Sequence, residues 1–596
     1  MSTHVANQGN GVLVGVPVPL LGVIRIMHNQ NRVIVAIDLG SSSIRASAFS
    51  LVEADNDLNV VEAISGTSTS SPLALVEPNT GRIKLYLERD KKDETVFDAI
   101  DQCVDETLVK LRARLGRLAF EVVGVSFSNF VMNLLGVDEE GTVIGPEASI
   151  SYACNSPDIA EEVATIRKQI GEENVRIHYQ KSGCFLHEGY ALAQLRVFYN
   201  RSVKNVCPEV TKWQTLASIC LCRWLDQKSF PISYSEASWT GMLNYRTCEY
   251  EPDILNLLPN CCRRALPELA DFDEPITLQK GIPSSSTYAC RWPELRHARF
   301  FLGVGDGACA NIGSKCSTMD QIACTVGTSA AARVCIPMEI GAADFKILPG
   351  LFCYRVDRHR VLVGGALTDG GSVVEWARQM LNIKESGAFD ECMHKVSMLL
   401  DARYIQSASE DASFARTLTV VPFLSGERST GFRGGATGAI LGMTRDTTPA
   451  HVLLGCIEGV TLRMNAIIAL IRQATEGDRK QRLIASGKAL EVNELWRQMI
   501  ADCSGLDVVL DMGTSEGTSR GAACLAAESL VSSKETSTAA LPEQSTMSVV
   551  STPDQNGAAY WRRATTSQEV LINALSPIFV SQATNINCVD VSVVKS

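Results

Sequence analysis

Residues 32–49 read RVIVAIDLGSSSIRASAF. A β-branched apolar run ends at Asp38 and Gly40, three serines follow, and apolar residues alternate again from Ile44. This pattern predicts two strands joined by a tight turn, a β-hairpin. Backbone N–H groups in such a turn form a concave donor nest, where glycine lets a phosphate approach closely and hydroxyls add donors. The hairpin is therefore a candidate phosphate site.

The same local order recurs later in the chain. Residues 300–314, FFLGVGDGACANIGS, predict a strand that runs into a glycine-rich helix start, and residues 322–336, IACTVGTSAAARVCI, predict a second strand-turn-strand. The recurrence, about 290 residues after the first hairpin, favours a duplicated fold. Phosphoryl transfer requires donors on both sides of the phosphate chain, so two such turns together suit a nucleotide.

Helical spacing of apolar residues predicts most of the remaining elements. Helices are expected at residues 97–118, 159–170, 188–200, 370–381 and 451–471, and the last is apolar around most of its circumference, as a buried helix requires. Strands are expected at 121–128, 482–486 and 506–511. Alternating helices and strands indicate an α/β protein.

Length and charge narrow the classes of function. The 596 residues suffice for at least two cores, because single cores stop growing near roughly 250 to 300 residues. A net charge of −11 argues against a broad basic surface, so we expect neither nucleic acid nor a membrane as partner. The 20 cysteines show no paired metal-site spacing, so we expect small buried hydrophobes in a reducing, cytoplasmic setting and no disulfides.

The two ends of the chain carry weaker signals. The apolar run 11–27 contains two prolines and Arg25, and is too short and interrupted to span a membrane. We expect residues 1–31 to be a disordered leader or an annotation artefact, with organelle targeting as the alternative. The Ser- and Thr-rich segment 531–556 is expected to be a disordered insertion, followed by a terminal helix at 557–575.

Several ordered blocks of the chain resemble the conserved blocks of the FGGY carbohydrate kinases. They are AIDLGSSSIRASAF (36–49), VGDGACANIGS (304–314), TVGTSAAARV (325–334), GGALTDGGSVVEW (364–376), PFLSGERSTGFRGGATGAILGM (422–443), HVLLGCIEGVTLR (451–463) and ASGKALEVNELWRQMIADCSG (485–505). SGERSTGFRGGATGAILGM and KSGCFLHEGY (181–190) look most like the gluconokinase-like branch. The similarity runs from about Arg32 to Glu528 and resumes in the terminal helix.

The resemblance implies a fold of two actin-like, ribonuclease H-like ATPase domains with a cleft between them. The sugar-binding domain would span 32–316 and the nucleotide-binding domain 317–528. The implied activity is transfer of the γ-phosphate of ATP, with Mg²⁺, to a hydroxyl of a sugar or sugar acid, gluconate first. The alternatives are a kinase for a different pentulose or polyol, and a catalytically weakened nucleotide-binding relative with a regulatory role. The expected partner is a small sugar or sugar acid, and a homodimer is one option for the assembly.

The resemblance also assigns site residues. Asp306 matches the family's catalytic base, and physically a carboxylate that follows a strand and is flanked by glycines can take a proton once water is expelled. Asp38 and Asp306 would position Mg²⁺. The implied nucleotide contacts are Gly40, Ser41, Ser42, Ser43, Gly327, Thr328, Ser329, Ser486, Gly487 and Lys488, and the implied substrate contacts are Asn129, Met132, His187 and Asp306.

Departures from the family pattern concentrate on the substrate side. Lys488 stands where the family has a second glycine, and a lysine there could reach a phosphate instead. Segments 130–133 and 152–156 lack the expected polar groups, including an arginine at Ser156 that would pair with a carboxylate. A charged hydrogen bond of that kind contributes roughly 1.5 to 3 kcal/mol, so another basic residue would have to compensate. The candidates are Lys181, Arg428 and Arg433, although Arg428 and its neighbour Glu427 also suit a scaffold for the cleft.

Overall fold

Two twisted sheets of similar construction dominate the molecule. The computed structural model describes residues 31–54, 57–63, 68–71, 73–77, 80–85, 95–116, 120–154, 156–202, 210–342, 345–407, 418–475, 480–511, 517–532 and 547–585. The predicted leader lies outside these residues up to position 30.

The described residues of the first half form thirteen strands. They are β1 (Asn31–Leu39), β2 (Ile44–Ala54), β3 (Asp57–Ala63), β4 (Thr69–Ser71), β5 (Phe120–Asn129), β6 (Asn133–Val137), β7 (Ser149–Ser151), β8 (Lys212–Gln214), β9 (Ile232–Ser233), β10 (Leu243–Asn244), β11 (Glu249–Tyr250), β12 (Leu269–Ala270) and β13 (Arg299–Gly305). Its helices are α1 (Val96–Leu115), α2 (Pro157–Ile170), α3 (Glu172–Ser182), α4 (Ala191–Ser202), α5 (Leu216–Leu225), α6 (Tyr234–Ser238), α7 (Pro252–Leu255), α8 (Asn260–Ala265), α9 (Tyr288–Arg291) and α10 (Asp306–Gly313).

The second half follows directly. Its strands are β14 (Gln321–Val326), β15 (Ala330–Pro337), β16 (Phe352–Asp357), β17 (Arg360–Leu367), β18 (Thr419–Val421), β19 (Ala439–Leu441), β20 (Arg482–Ser486), β21 (Val508–Asp511) and β22 (Met547–Ser551). Its helices are α11 (Gly371–Met380), α12 (Ser386–Ser407), α13 (Pro449–Ala474), α14 (Lys488–Val492), α15 (Glu494–Ser504), α16 (Gly517–Ser532) and α17 (Ala558–Asn585).

The two main sheets repeat one topology. The first runs β13-β5-β1-β2-β3, with β4 also paired to β2, and the second runs β16-β17-β15-β14-β20-β21-β22. In each, a first strand (β1 or β14) forms an antiparallel hairpin with the next strand and pairs in parallel with a later one (β5 or β20). A further parallel strand, β13 or β21, continues the sheet. The predicted duplication and both predicted hairpins are confirmed.

The register of the parallel strands brings the predicted site residues to one edge of each sheet. In the first sheet Asp38 is opposite Ser128, and Ser128 is opposite Val304, so β1, β5 and β13 end side by side. In the second sheet Thr325 is opposite Ser486. Because ligands in open α/β sheets bind beyond the carboxyl ends of the strands, these two edges define where the site is to be sought.

Helices α10 and α16 pack between the two sheets. A Cβ at Gly521 would lie 1.8 Å from the carbonyl oxygen of Cys309, and one at Gly313 would lie 1.8 Å from that of Gly517. The helices therefore touch backbone to backbone. Their buried side chains share one apolar cluster with residues of both sheets, including Phe127 of the first.

Helix α16 links the second half of the chain to the first. Most of it lies within the predicted second domain, 317–528, and it contacts α10, β5 and β1 of the first half. Its run of small residues, Ala522 to Ala527, fits against the first sheet and is buried there. Small side chains permit this close packing, which the order of blocks along the chain does not reveal.

Long helix α13 is the centre of the second half. It has the length and composition of a membrane span, but 78% of its most apolar window is buried within the protein. The side chain of Trp496 packs in the same cluster and donates a hydrogen bond to Thr461 Oγ1 at 3.1 Å. The predicted buried helix is confirmed.

Two predictions near the end of the chain are wrong in part. The expected disordered segment 531–556 contains β22, which pairs with the otherwise open edge of β21 in an antiparallel register. The terminal helix extends to Asn585 rather than ending at 575. In both places tertiary contact supplies what the local pattern lacks, since an open strand edge gains hydrogen bonds by pairing.

The helix predicted from 188 begins at Ala191, which leaves its first residues in a loop.

The described cysteines are free, and most of them are buried, as expected. Cys261 and Cys290 are exposed, whereas Cys262, the neighbour of Cys261, packs into an apolar cluster of the first half. Burial raises the pKa of such thiols, for Cys262 to about 12. They behave as small apolar side chains.

We predict that Gly521→Ala destabilises the protein by about 1 to 3 kcal/mol, because the added methyl group overlaps the backbone of α10. Thermal unfolding followed by circular dichroism measures the change. Gly517→Ala on the same helix is the matched control, since a Cβ there would have no atom within 4 Å. Equal melting temperatures for the two variants would contradict the close helix contact.

Candidate active site

Asp306 lies at the junction where β13 passes into α10. Gly305 ends the strand, and Asp306 Oδ1 accepts a hydrogen bond from the backbone N–H of Gly307 at 2.7 Å. Burial raises the pKa of the Asp306 carboxyl, while the positive charges of Arg333 and Arg428 lower it. A raised pKa makes a carboxylate a better proton acceptor, which suits the role of a general base.

Asp38 lies near the end of β1, and β5 separates this strand from β13, which leads to Asp306. The pKa of the Cys309 thiol is raised by burial and further by the charges of Asp38 and Asp306, so both carboxylates act on this one thiol. No group of three or more metal-ligating side chains occurs in the described part of the chain. Two carboxylates nevertheless fit hydrated Mg²⁺, which keeps several waters and takes phosphate oxygens as ligands.

The first predicted phosphate turn has the expected shape. The N–H of Gly40 donates to the carbonyl oxygen of Ser43 at 3.0 Å, and the carbonyl oxygen of Ser41 accepts from Leu75 N–H at 2.8 Å. Ser42 is exposed at the tip of the turn, between the half-buried Ser41 and Ser43. The serine hydroxyls and free backbone donors of this turn are therefore near Asp38.

The second predicted turn is closed by a hydrogen bond from Gly327 N–H to Ser329 O at 2.9 Å, and leaves Thr328 and Ser329 exposed. The structure adds a neighbouring loop: Gly370 N–H donates to Thr328 O at 2.8 Å and Gly371 N–H to Gly327 O at 2.7 Å. The sequence argument did not assign this loop to the site. The Asp-Gly-Gly run that precedes α11 was the available signal.

The predicted adenosine turn lies beside the second phosphate turn. Ser486 Oγ is 2.8 Å from Thr325 Oγ1, which couples the ends of β20 and β14. Gly487 has φ +88°, and a Cβ there would meet Val326 O at 2.6 Å, so only glycine fits without strain. Lys488, which replaces the second glycine of the family pattern, is exposed at the start of α14.

On the first-sheet side, Asn129 is buried at the end of β5. Its Nδ2 donates to Glu236 Oε1 at 2.8 Å, while its Oδ1 has no hydrogen-bond partner among the described residues. Burial raises the pKa of Glu236 to about 7, against the hydrogen bonds from Asn129 and the Ser233 backbone. Glu236 was not predicted from the sequence. Its carboxyl group lies between Asn129, a predicted substrate residue, and Gly303 of β13.

Met132 lies in the tight connection between β5 and β6, where it has φ +55°, a left-handed conformation. The residue is 4% exposed and packs with Leu134 and Ile150 in an apolar cluster. It also lines a small pocket with Asn129 and Trp239. Its contact with the substrate stays a prediction.

His187 lies in the loop before α4 rather than at a helix start. Its Nδ1 accepts the N–H of Gly189 at 3.1 Å, which assigns the proton to Nε2. Burial and then the charge of Arg428 lower the pKa of His187 to about 4. The imidazole is therefore neutral near pH 7 and presents one N–H donor.

An aromatic group spans the two halves next to Asp306. Trp239 of the first half stacks on Tyr354 of the second with ring centroids 3.8 Å apart, and the hydroxyl groups of Tyr190 and Tyr354 are 2.6 Å apart. A Cβ at Gly305 would lie 3.1 Å from Trp239 Nε1, so the indole edge borders the start of α10. The sequence argument did not single out these rings.

Of the three basic residues suggested as substitutes for an arginine at position 156, two are already paired. Lys181 Nζ lies 2.6 Å from Glu251 Oε1. Arg433 Nε lies 2.5 Å from Glu427 Oε2, and Arg463 also pairs with this buried glutamate. Glu427 is thus structural, as expected. Arg428 is the exposed member of the set. Its positive charge is one of the causes that lower the pKa of Asp306 and of His187.

Comparison with known proteins accounts for most of the chain. Residues 33–278 match the model of the FGGY family of carbohydrate kinases, N-terminal domain, and residues 322–530 match the C-terminal domain of that family. The two matched ranges cover most strands of both sheets, while β13, α10 with Asp306, and β22 lie outside them.

Individual relatives differ in the sugar they are named for. A gluconokinase of Bacillus subtilis is 22% identical over 492 residues, 80% of this chain and 83% of the relative. A xylulose kinase of Staphylococcus epidermidis is 24% identical over 504 residues, 84% of this chain and 88% of the relative. The structure of a gluconate kinase from Lactobacillus acidophilus superposes with a TM-score of 0.69 at 20% identity, and covers 93% of this chain and 100% of that one.

We predict that Glu236→Gln stabilises the protein more at about pH 8 than at about pH 5. Because the folded state raises the pKa of this carboxyl from 4.5 to about 7, its contribution to stability is complete below 4.5 and is lost as pH rises through about 7. Glutamine stays neutral and can keep an amide contact to Asn129. Urea unfolding at both pH values measures the difference. Glu140→Gln, in an exposed turn, is the control, and a gain from Glu236→Gln that is equal at both pH values contradicts the prediction.

We predict that Lys488→Met weakens ATP binding by about 3- to 10-fold and leaves adenosine binding unchanged, because the lost charge acts on phosphates only. Isothermal titration calorimetry with ATP, ADP and adenosine measures the effect. Lys395→Met on α12, where the lysine pairs with Glu391 at 2.7 Å, serves as control. A parallel loss of adenosine affinity would place Lys488 against the base or ribose instead.

Proposed function

This chain belongs to the FGGY family of carbohydrate kinases, which phosphorylate sugars with ATP, and from that membership we propose that its acceptor is a sugar acid of the gluconate type. The observation that carries the choice of acceptor is the gluconokinase relative, whose similarity extends over four fifths of both chains. The sequence block at 181–190, which contains His187, supports the same choice.

The residues of the cleft have separate roles in the proposed reaction. Asp306 accepts the proton of the attacking hydroxyl, and its raised pKa favours that transfer. The turns at 40–43 and 327–329 hold the phosphates through backbone and hydroxyl donors, as phosphoryl transfer requires. The N–H of His187 and the aromatic group of Trp239, Tyr190 and Tyr354 orient the sugar.

Asp38 and Asp306 are the residues that would hold Mg²⁺. When bound, the ion supplies neutralisation of charge on the phosphate oxygens. The chain itself positions the two carboxylates at the ends of two parallel strands, β1 and β13, which are separated by β5.

A neutral ketose is the second candidate acceptor, favoured by the xylulose kinase relative and by the missing arginine at Ser156. The two acceptors differ in one property, the carboxylate. A nucleotide-binding protein without kinase activity is the remaining alternative, and it is distinguished by the absence of turnover on every acceptor.

We predict that Asp306→Asn lowers kcat by about 10²- to 10⁴-fold and leaves ATP binding within about twofold, because the amide cannot accept the proton. A panel of gluconate, other aldonates, xylulose, glycerol and glucitol is assayed for ADP formation with Mg²⁺ present, and ATP binding is measured by calorimetry. Asp320→Asn, in the loop before β14, is the matched control. Near-normal turnover by Asp306→Asn would contradict the role of Asp306, and no turnover by the native chain on any acceptor would contradict the kinase reaction.

A further inference from the structure

Two guanidinium groups in the cleft make no hydrogen bond or ion pair within the described part of the chain. They belong to Arg333 on β15 and to Arg428 in the loop after β18. Other arginines nearby are satisfied: Arg463 pairs with Glu427, and the buried Arg355 donates to several backbone carbonyl groups. A partly buried charge such as that of Arg333 is normally paired, so its lack of a partner needs an explanation, and the exposed Arg428 adds a second positive charge beside it.

The position of Arg333 is fixed by the sheet. It pairs with Gly364 on β17 and with Ala323 on β14, and its side chain crosses to the start of α10. A Cβ at Gly307 would lie 3.6 Å from Arg333 Nε and 3.9 Å from Cζ, so the guanidinium packs on the turn that carries Asp306. Glycine at 307 leaves room for this approach.

Arg428 reaches the same place from another element. Its loop crosses to the first half, where Phe432 stacks on Phe185 with ring centroids 3.5 Å apart, two residues before His187. The positive charge of Arg428 contributes to the pKa shifts of His187, Tyr190 and Tyr354, the three groups proposed to orient the sugar. It is therefore on the sugar side of the cleft.

The balance of charge is uneven at this place. The negative charge of Asp306 stabilises the charged form of Arg333, whereas the positive charge of Arg428 destabilises it. Two positive groups facing one carboxylate leave a net positive charge, which a bound anion would neutralise. Asp306 must also stay available to the acceptor hydroxyl, so it cannot serve as a permanent partner for both.

We propose that Arg333 and Arg428 together bind the carboxylate of a sugar-acid substrate and so replace the arginine that is missing at Ser156. The proposal rests on the sugar-acid acceptor proposed above. A guanidinium presents paired N–H donors that match the two oxygens of a carboxylate, which a lysine does not.

The phosphates of ATP are the other anions that could occupy this place. Arg333 is three residues beyond Ala330, about 10 Å along β15 from the end of the phosphate turn. Arg428 is among the sugar-side groups, and Lys488 is the exposed cation beside the nucleotide turns. The arrangement therefore favours the substrate carboxylate over the phosphates.

The test compares gluconate with glucitol, which has the same carbon chain and no carboxylate, and with xylulose. In Arg333→Gln and in Arg428→Gln, we expect kcat/KM for gluconate to fall by about 10- to 100-fold relative to the neutral acceptor that is turned over best. Arg333→Lys should recover part of the ratio, because it restores charge without the paired donors. Arg445→Gln, at an exposed position of the same half, is the control and should leave the ratio unchanged.

Three other patterns of turnover overturn the proposal, and a native chain without turnover is decided by a binding measurement. Equal losses on acidic and neutral acceptors would make the arginines general to catalysis, and a raised KM for ATP with an unchanged ratio would assign them to phosphate. A native chain that phosphorylates xylulose but not gluconate would retain the kinase function and reject the carboxylate site. If the native chain phosphorylates nothing, the kinase function fails separately, and gluconate binding by calorimetry decides: binding that Arg333→Gln abolishes supports the site, and absence of binding rejects it.

Discussion

The contact between helices α10 and α16 is the constraint on which the site depends. Gly313 and Gly521 let the two backbones meet, and the small residues of α16 then fit against the first sheet. Since Asp306 is the first residue of α10, the same contact fixes the carboxylate that is proposed as the base. A larger residue at either glycine would move the helix and the carboxylate together.

The cleft lies at the carboxyl ends of the parallel strands. β1, β5 and β13 end side by side, and so do β14 and β20, so the turn with Gly40 and the turn with Gly327 each lie at the carboxyl edge of their sheet. The repeated topology thus gives the two halves of the chain similar donor turns at equivalent positions, as the proposed binding of one nucleotide requires.

Charge is distributed unevenly across the cleft. Glu427 neutralises Arg433 and Arg463 within the scaffold, whereas Arg333 and Arg428 face Asp306 without a partner of their own. Glu427 and Arg433 thus form an ion pair within the SGERSTGFR segment, whereas Arg428 of the same segment is exposed. The proposed recognition role falls to Arg428 and to Arg333 of β15.

The sequence by itself determined the hairpins, the duplicated sheets, the buried helix α13 and the position of Asp306 after a strand, because each has a local pattern of apolar residues and turn formers. Only the tertiary structure decided that Met132 is buried, that residues 547–551 add a strand, and that α16 joins the first half. It also brought Glu236, Trp239 and Arg333 to the site. These features depend on contacts between residues that are far apart in the sequence. The local pattern of apolar and polar residues does not encode such contacts.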